Sequence, residues 1–403
     1  MRKLLVGLLL FLLCFSFSFS YAFSSSFIWT DDTSSVSTSS SSTTPTTDLA
    51  LESESAILIE QNSGKVLYEH HSHEQLRPAS VTKVMSILLI MEALDSNKIA
   101  LTDKIPCSEK AASMGGSQIW LDVREELTVD EMLKAICVAS ANDCTVAMAE
   151  YLAGSEEAFV EKMNARAKEL GMNDTFFKNC HGLDTDGHVT SAYDISVMSR
   201  ELLKNHPAIT NYTTIWMDTL RDGKSQLTNT NKLIRNYKGA TGLKTGSTGL
   251  ALYNLSASAT RDDLSLIAVI MKAPSTKVRF EEAQKLLDYG FSNYSYIPFS
   301  KKDSVLTSIP ITKGIFNSIH AVFAEDSGSL LPKGSDRNIE QVVCLPEALQ
   351  APVTEGQVIG EVKYVLNGDT LGITPIISDR DVKKMNLTTM TESVFFSWFR
   401  LLR

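Results

Sequence analysis

In Arg77-Pro78-Ala79-Ser80-Val81-Thr82-Lys83, a serine and a lysine stand three residues apart, types and spacing that suit nucleophilic chemistry. A serine hydroxyl is weak at its own pKa and needs a base beside it. A lysine becomes that base when burial or a neighbouring cation strips its proton. Pro78 pre-sets a dihedral suited to a first helical turn, and Val84, Ile87, Leu88 and Met91 follow at helical spacing, so a helix is predicted to start near Ser80. Residues three apart share a helix face, which brings the Lys83 amine to the Ser80 hydroxyl, where the unpaired first-turn amides also point. Alone the pair is a weak signal, because serine and lysine meet at this spacing by chance in long chains.

The elements that must position this pair can be read on both sides of it. Ala56 to Ile59 and Val66 to Tyr68 flank Asn62-Ser63-Gly64-Lys65, a hairpin pattern. Thr128-Val129-Asp130-Glu131 forms a capping box, and Val129, Met132, Leu133 and Ile136 give the helix behind it one apolar face. That helix runs into Ser140-Ala141-Asn142, and Val146, Ala149 and Leu152 resume the helical pattern. Ser140 and Asn142 therefore sit at a turn between helices, where polar side chains can project into a cleft. A third helix covers Glu156 to Leu170, and a fourth is capped by Ser191 and Asp194 and ends near His206-Pro207. Between them His181-Gly182-Leu183-Asp184-Thr185-Asp186-Gly187 reads as a turn-rich loop. Gly242-Leu243-Lys244-Thr245-Gly246-Ser247-Thr248 precedes two β-like runs, Ala251 to Ala259 and Leu264 to Met271, and a closing helix from Thr276 to Tyr289 ends at Gly290. Hairpins at both ends with helices between imply an α+β domain over residues 51–295, an antiparallel sheet covered by helices. Residues 297–382 change to short β-like runs with the hairpin signal Asn367-Gly368, and predict a small all-β domain.

The chain has 403 residues and a formal net charge of -9, mild and dispersed, which argues against nucleic acid as a partner. Its seven histidines and six cysteines show no ligand spacing, so neither a metal nor a cofactor is expected. Arg2 and Lys3 precede the apolar run Leu4 to Leu13, and Ser20-Tyr21-Ala22 supplies small residues at a cleavage site. Residues 1–22 thus read as an export signal cut after Ala22, with an uncut anchor as the alternative. The Ser/Thr-rich residues 23–50 read as a flexible linker. At the other end, residues 387–403 place Leu387, Met390, Val394, Trp398 and Leu401 on one helical face with Arg400 and Arg403 opposite. That amphipathic helix is expected at a membrane surface; packing on the β domain is the alternative.

Ser80-Val81-Thr82-Lys83, Ser140-Ala141-Asn142 and Lys244-Thr245-Gly246, in that order, resemble the penicillin-recognising serine enzymes. His181-Gly182-Leu183-Asp184, the Gly242 to Thr248 segment, Tyr253-Asn254-Leu255 and Arg279-Phe280 look like the exported D-alanyl-D-alanine carboxypeptidases, the low-molecular-mass penicillin-binding proteins. The resemblance implies a β-lactamase/transpeptidase-like fold at the outer face of the cytoplasmic membrane. It also implies removal of the terminal D-alanine from the peptidoglycan stem pentapeptide through an acyl-enzyme, and acylation by β-lactam antibiotics. Ser80 would be the nucleophile, Lys83 its base, and Ser140 the relay to the leaving amine. Asn142 would hold a substrate amide, Lys244 would help keep Lys83 uncharged, and the backbone amides of Ser80 and Ser247, which follows Gly246, would hold the oxyanion. Thr245 and Arg279 would grip the terminal carboxylate, although Arg279 also reads as a solvated helix residue. The segment Gly249-Leu250-Ala251-Leu252 departs from the glycine-rich bend expected there, and His181 has no assigned role. A class A β-lactamase is disfavoured, because Glu161-Lys162-Met163-Asn164 lacks the spacing of its deacylating glutamate. A transpeptidase or endopeptidase on the same scaffold and a silent wall-binding module are the other readings.

Overall fold

The computed structural model describes residues 49–335, 338–386 and 391. The expected signal segment, nearly all of the linker and all but one residue of the expected C-terminal helix lie outside these residues. No helix among the described residues is long and apolar enough to cross a membrane.

Five antiparallel strands form the central sheet in the order Val66–His70, Ser55–Glu60, Leu264–Ala273, Leu252–Arg261, Ala240–Thr248. The first and last strands of the domain's sequence thereby become neighbours in the sheet, with Ile57 opposite Val269. Strand side chains alternate between faces, and here both faces are covered. Ile57, Ile59, Ile267, Val269 and Met271 enter one apolar cluster with the helical block; Leu58, Leu255, Leu266, Ala268 and Ile270 enter a second with Phe280, Ala283, Leu286 and Phe291 of the helix Thr276–Asn293. Each such side chain taken from water contributes about 1.5–3 kcal/mol, so these two layers can support costly features elsewhere. The closing helix runs three residues beyond the expected stop at Gly290, a residue buried on its sheet-facing side rather than a cap.

The helical block centres on Lys83–Asp95, buried on nearly every side, as befits a helix apolar all round. The expected capping box is present: Thr128 accepts from the Glu131 amide while Glu131 accepts from the Thr128 amide. Among the described residues, Cys107, Cys137, Cys144 and Cys180 are buried free thiols, and Cys344 is an exposed one.

The β-rich part holds a six-stranded sheet in the order Ile339–Cys344, Val358–Leu366, Asp369–Ser378, Ser318–Phe323, Val305–Thr312, Leu349–Gln350. Asn367 and Gly368 both have positive φ, at 53° and 94°, the geometry that a two-residue hairpin of this sequence requires. A separate pair, Tyr294–Ser300 with Ser327–Pro332, lies beside it and was not expected from the sequence.

Candidate active site

Ser80 sits in a 3-10 turn, Ala79–Thr82, that leads directly into the helix beginning at Lys83, so the expected helix start is a tighter turn. Ala79 has a left-handed φ of 48°, a conformation costing roughly 1–3 kcal/mol for a non-glycine residue. Neighbours hold it there. The Thr82 hydroxyl donates to the Ala79 carbonyl at 2.8 Å and lies 2.8 Å from His188 Nε2. His188 Nδ1 accepts the Lys178 amide, so its proton is on Nε2 and points at Thr82. Burial lowers the His188 pKa to about 4 and keeps the ring neutral. From the sheet side, Asn254 Nδ2 donates to the Arg77 carbonyl at 2.8 Å.

Two glycines press on this turn. A Cβ at Gly246 would lie 2.8 Å from Pro78 O, Ser80 N and Val81 N, and one at Gly182 would lie 1.9 Å from Ala79 O. Lys-Thr-Gly and His-Gly-Leu-Asp therefore contribute backbone proximity as well as side chains.

Lys83 is fully buried, and its Nζ lies 3.1 Å from Ser80 Oγ, 2.6 Å from Asn142 Oδ1 and 2.6 Å from the His181 carbonyl. Burial pushes its pKa well below the usual lysine value, and the Lys244 charge lowers it further. A neutral amine has two N–H groups and one lone pair. With both N–H groups given to the two short acceptors, the lone pair is left for the Ser80 hydroxyl proton.

Ser140 follows a π-helical turn, Ala135–Ala139, and takes a left-handed φ of 63°. Its buried Oγ has no hydrogen-bond partner among the described residues. Leaving a buried hydroxyl unpaired costs about 1–3 kcal/mol, which suits a group waiting for substrate. Asn142 Oδ1 accepts from Lys83 Nζ, and Nδ2 donates one proton to the Gly115 carbonyl at 2.7 Å, leaving one amide N–H for another partner.

On the edge strand Ala240–Thr248, Lys244 is 1% exposed and Nζ donates to the Thr245 carbonyl at 2.9 Å. Its pKa falls to about 7, first through burial; the Arg279 charge adds to this while Cys137 opposes it. Thr245 Oγ1 donates to Thr230 Oγ1 at 2.7 Å, and Ser247 is exposed on the same strand. Arg279 is only 6% exposed, which removes the reading of a solvated helix residue. Its Nη1 donates to the carbonyls of Gly246 and Asn254, Nε has no partner among the described residues, and burial lowers its pKa to about 10. The departing bend is closed by Leu252 in left-handed backbone, φ 52°, and Thr248 Oγ1 donates to Asp184 Oδ1 across the mouth at 2.9 Å.

Hydrogen bonds, the Lys244 charge and the close approach of Gly246 thus bring Ser80, Lys83, Asn142, Lys244, Gly246 and Arg279 together, with Ser140 two residues before Asn142 and with Thr245 and Ser247 on either side of Gly246. The structure adds His188, Thr230, Asn254 and Glu156, which the sequence reading assigned no role at the site. Glu156 faces His181 Nε2 at 3.3 Å and Lys110 Nζ at 2.9 Å, fixing the loop whose carbonyl holds Lys83. Away from the cleft, Glu92, Glu201 and His206 come close enough to suit a metal, but the Arg166 guanidinium already bridges the two carboxylates at 2.7 and 2.8 Å.

Residues 40–275 match the family described as D-alanyl-D-alanine carboxypeptidase, and residues 294–384 match the penicillin-binding protein 5 C-terminal domain. The chain is 45% identical over 357 residues to the D-alanyl-D-alanine carboxypeptidase DacF of Bacillus subtilis, covering 88% of this chain and 92% of that one. Penicillin-binding protein 5 from Haemophilus influenzae superposes with a TM-score of 0.68 at 30% identity, over 83% of this chain and 98% of that one. Penicillin-binding protein D2 from Listeria monocytogenes, in its ampicillin-bound form, superposes with a TM-score of 0.56 at 29% identity, over 60% of this chain and 99% of that one. The chain therefore belongs to the D-alanyl-D-alanine carboxypeptidase family of serine peptidases, the low-molecular-mass penicillin-binding proteins.

Proposed function

We propose that this serine-type carboxypeptidase removes the terminal D-alanine of a peptidoglycan stem pentapeptide through an acyl group carried on Ser80. The observation that carries the assignment is the Lys83 amine, buried, depressed in pKa and aimed at Ser80 Oγ while two acceptors occupy its protons. Lys83 takes the hydroxyl proton as Ser80 Oγ bonds to the penultimate carbonyl. Ser140 passes a proton to the leaving amine as the C–N bond breaks. The backbone amides of Ser80 and Ser247 meet the oxyanion, and Thr245, Lys244 and Arg279 face the terminal carboxylate. A water then reverses the sequence and frees Ser80. Penicillin enters the same path and stays attached.

Ser80→Ala should abolish both D-alanine release from a D-Ala-D-Ala peptide and retention of labelled penicillin. Labelling of the alanine variant would overturn the assignment.

We also infer that residues 1–22 direct export and that 387–403 hold the enzyme at an anionic membrane surface, on the support of their sequence pattern. Mature protein lacking 387–403 should keep its activity on soluble peptide but no longer sediment with anionic vesicles. Equal sedimentation would refute the anchor.

A further inference from the structure

Trp120 is 74% exposed although its neighbours Ile119 and Leu121 are 5% and 3% exposed, and its backbone is left-handed with φ 54°. A bulky residue in that conformation, with a large apolar ring in water, gives the fold nothing in return. The stretch is nonetheless firmly held. Asp143, fully buried, accepts the amides of Ile119 and Leu121, both at 3.1 Å. The Arg221 guanidinium donates to the carbonyls of Ile119 at 2.9 Å and Trp120 at 3.2 Å, and is itself fixed by Glu125 at 2.6 and 2.9 Å. Two side chains therefore bond four main-chain groups around an indole they leave outside.

The same segment packs directly against Asn142. Asp143 follows Asn142, the Ser117 carbonyl accepts the Asn142 amide at 2.7 Å, and a Cβ at Gly116 would lie 2.9 Å from Asn142 Nδ2 and 3.5 Å from Leu183. Trp120 stands three residues beyond Ser117, at most about 11 Å along extended chain.

We infer that Trp120 is a specificity-determining residue, its indole the platform for a long aliphatic side chain on the substrate residue that precedes the D-Ala-D-Ala pair. The inference rests on the catalytic reading of the Ser80 to Asn142 wall. The Lys244, Thr245 and Arg279 edge takes the terminal carboxylate, so the rest of the peptide must leave past Asn142, where the 115–121 segment lies. One extended residue adds about 3.4 Å and a lysine-length side chain reaches several ångströms further, while Trp120 follows by three residues Ser117, whose carbonyl holds the Asn142 amide. A fixed aromatic ring offers apolar area to methylene groups at little entropic cost.

The test compares kcat/KM for D-alanine release from diacetyl-L-Lys-D-Ala-D-Ala and from N-acetyl-Gly-D-Ala-D-Ala. Trp120→Gly suits the left-handed backbone and should fold. It should lower the preference for the lysyl peptide roughly tenfold, through KM with kcat held, leaving the glycyl peptide and penicillin acylation unchanged. Trp120→Phe should restore most of the preference. An unchanged ratio, or an equal fall for both peptides, would overturn the inference. So would an unchanged ratio with weaker binding to insoluble peptidoglycan, which would make the indole a sugar platform. If the unaltered protein releases no D-alanine from either peptide, the functional reading itself fails, and the inference with it.

Discussion

The cleft-bearing region and the β-rich region use the same antiparallel pleat under different constraints. In the first, Lys83, Lys244, Arg279, Asp143 and Asn254 are buried, and left-handed backbone occurs at the buried Ala79 and Ser140. In residues 297–382, the buried polar side chains among those described are Thr374 and Ser378, and the left-handed residues Asp303, Lys313 and Asn367 lie on exposed turns. Burying charge and straining backbone both oppose folding. The first region tolerates them between two apolar layers; the second, with one small core around Ile309, Val362, Tyr364 and Ile376, carries hardly any. Unfavourable features thus gather where chemistry needs them, and the β-rich region shows what the same pleat builds without that demand.

Lys83→Ala should break the comparison hardest, because it takes from the first region the buried amine that serves as base. Penicillin acylation should slow by at least about a hundredfold, with the melting temperature shifted by only a few degrees. Near-normal acylation would show that another group serves as base. Gly246→Ala comes next. Its methyl would press on Ser80 N and Val81 N from 2.8 Å, and an ångström of misplacement costs roughly a hundredfold in rate. Acylation should fall about tenfold to a hundredfold although no catalytic side chain is altered, as a stopped-flow acylation assay would read. The smallest effect is expected in the second region. Tyr364 Oη donates to the Phe299 carbonyl at 3.2 Å, so Tyr364→Phe should cost about 1 kcal/mol in denaturant unfolding. Acylation by that variant should match the unaltered protein; a change would mean that the two regions are coupled.

Much of this contrast was legible in local sequence. Ser80 with Lys83, Ser140 with Asn142, and Lys244-Thr245-Gly246 are short motifs with chemistry at fixed spacing. The Thr128 box and the Asn367-Gly368 turn are likewise decided within four residues. The bracing of the site was not legible. His188 meets Thr82 from 106 residues away, Arg221 meets Ile119 from 102, and Asn254 meets Arg77 from 177, and no period or cap in the sequence announces such pairings. The hairpin Met217–Leu220 with Ser225–Thr228 was missed because its strands are short and largely polar, and the π-turn before Ser140 keeps an ordinary helical pattern. The carboxylate role of Arg279 follows from the family resemblance and suits its fork of donors, whereas the structure spends Nη1 on two backbone carbonyls.

The central claim is that Lys83 reaches Ser80 as an uncharged base, made so first by burial and second by the Lys244 charge. The pH dependence of the penicillin acylation rate tests it directly, because the rate rises as Lys83 loses its proton. The account predicts an ascending limb well below the ordinary lysine value of 10.5. Lys244→Met removes the neighbouring cation, so the Lys83 pKa should rise and the limb move to higher pH, even where the rate on the plateau also falls. A limb near 10.5 in the unaltered protein, or one that moves to lower pH in the variant, would contradict the account.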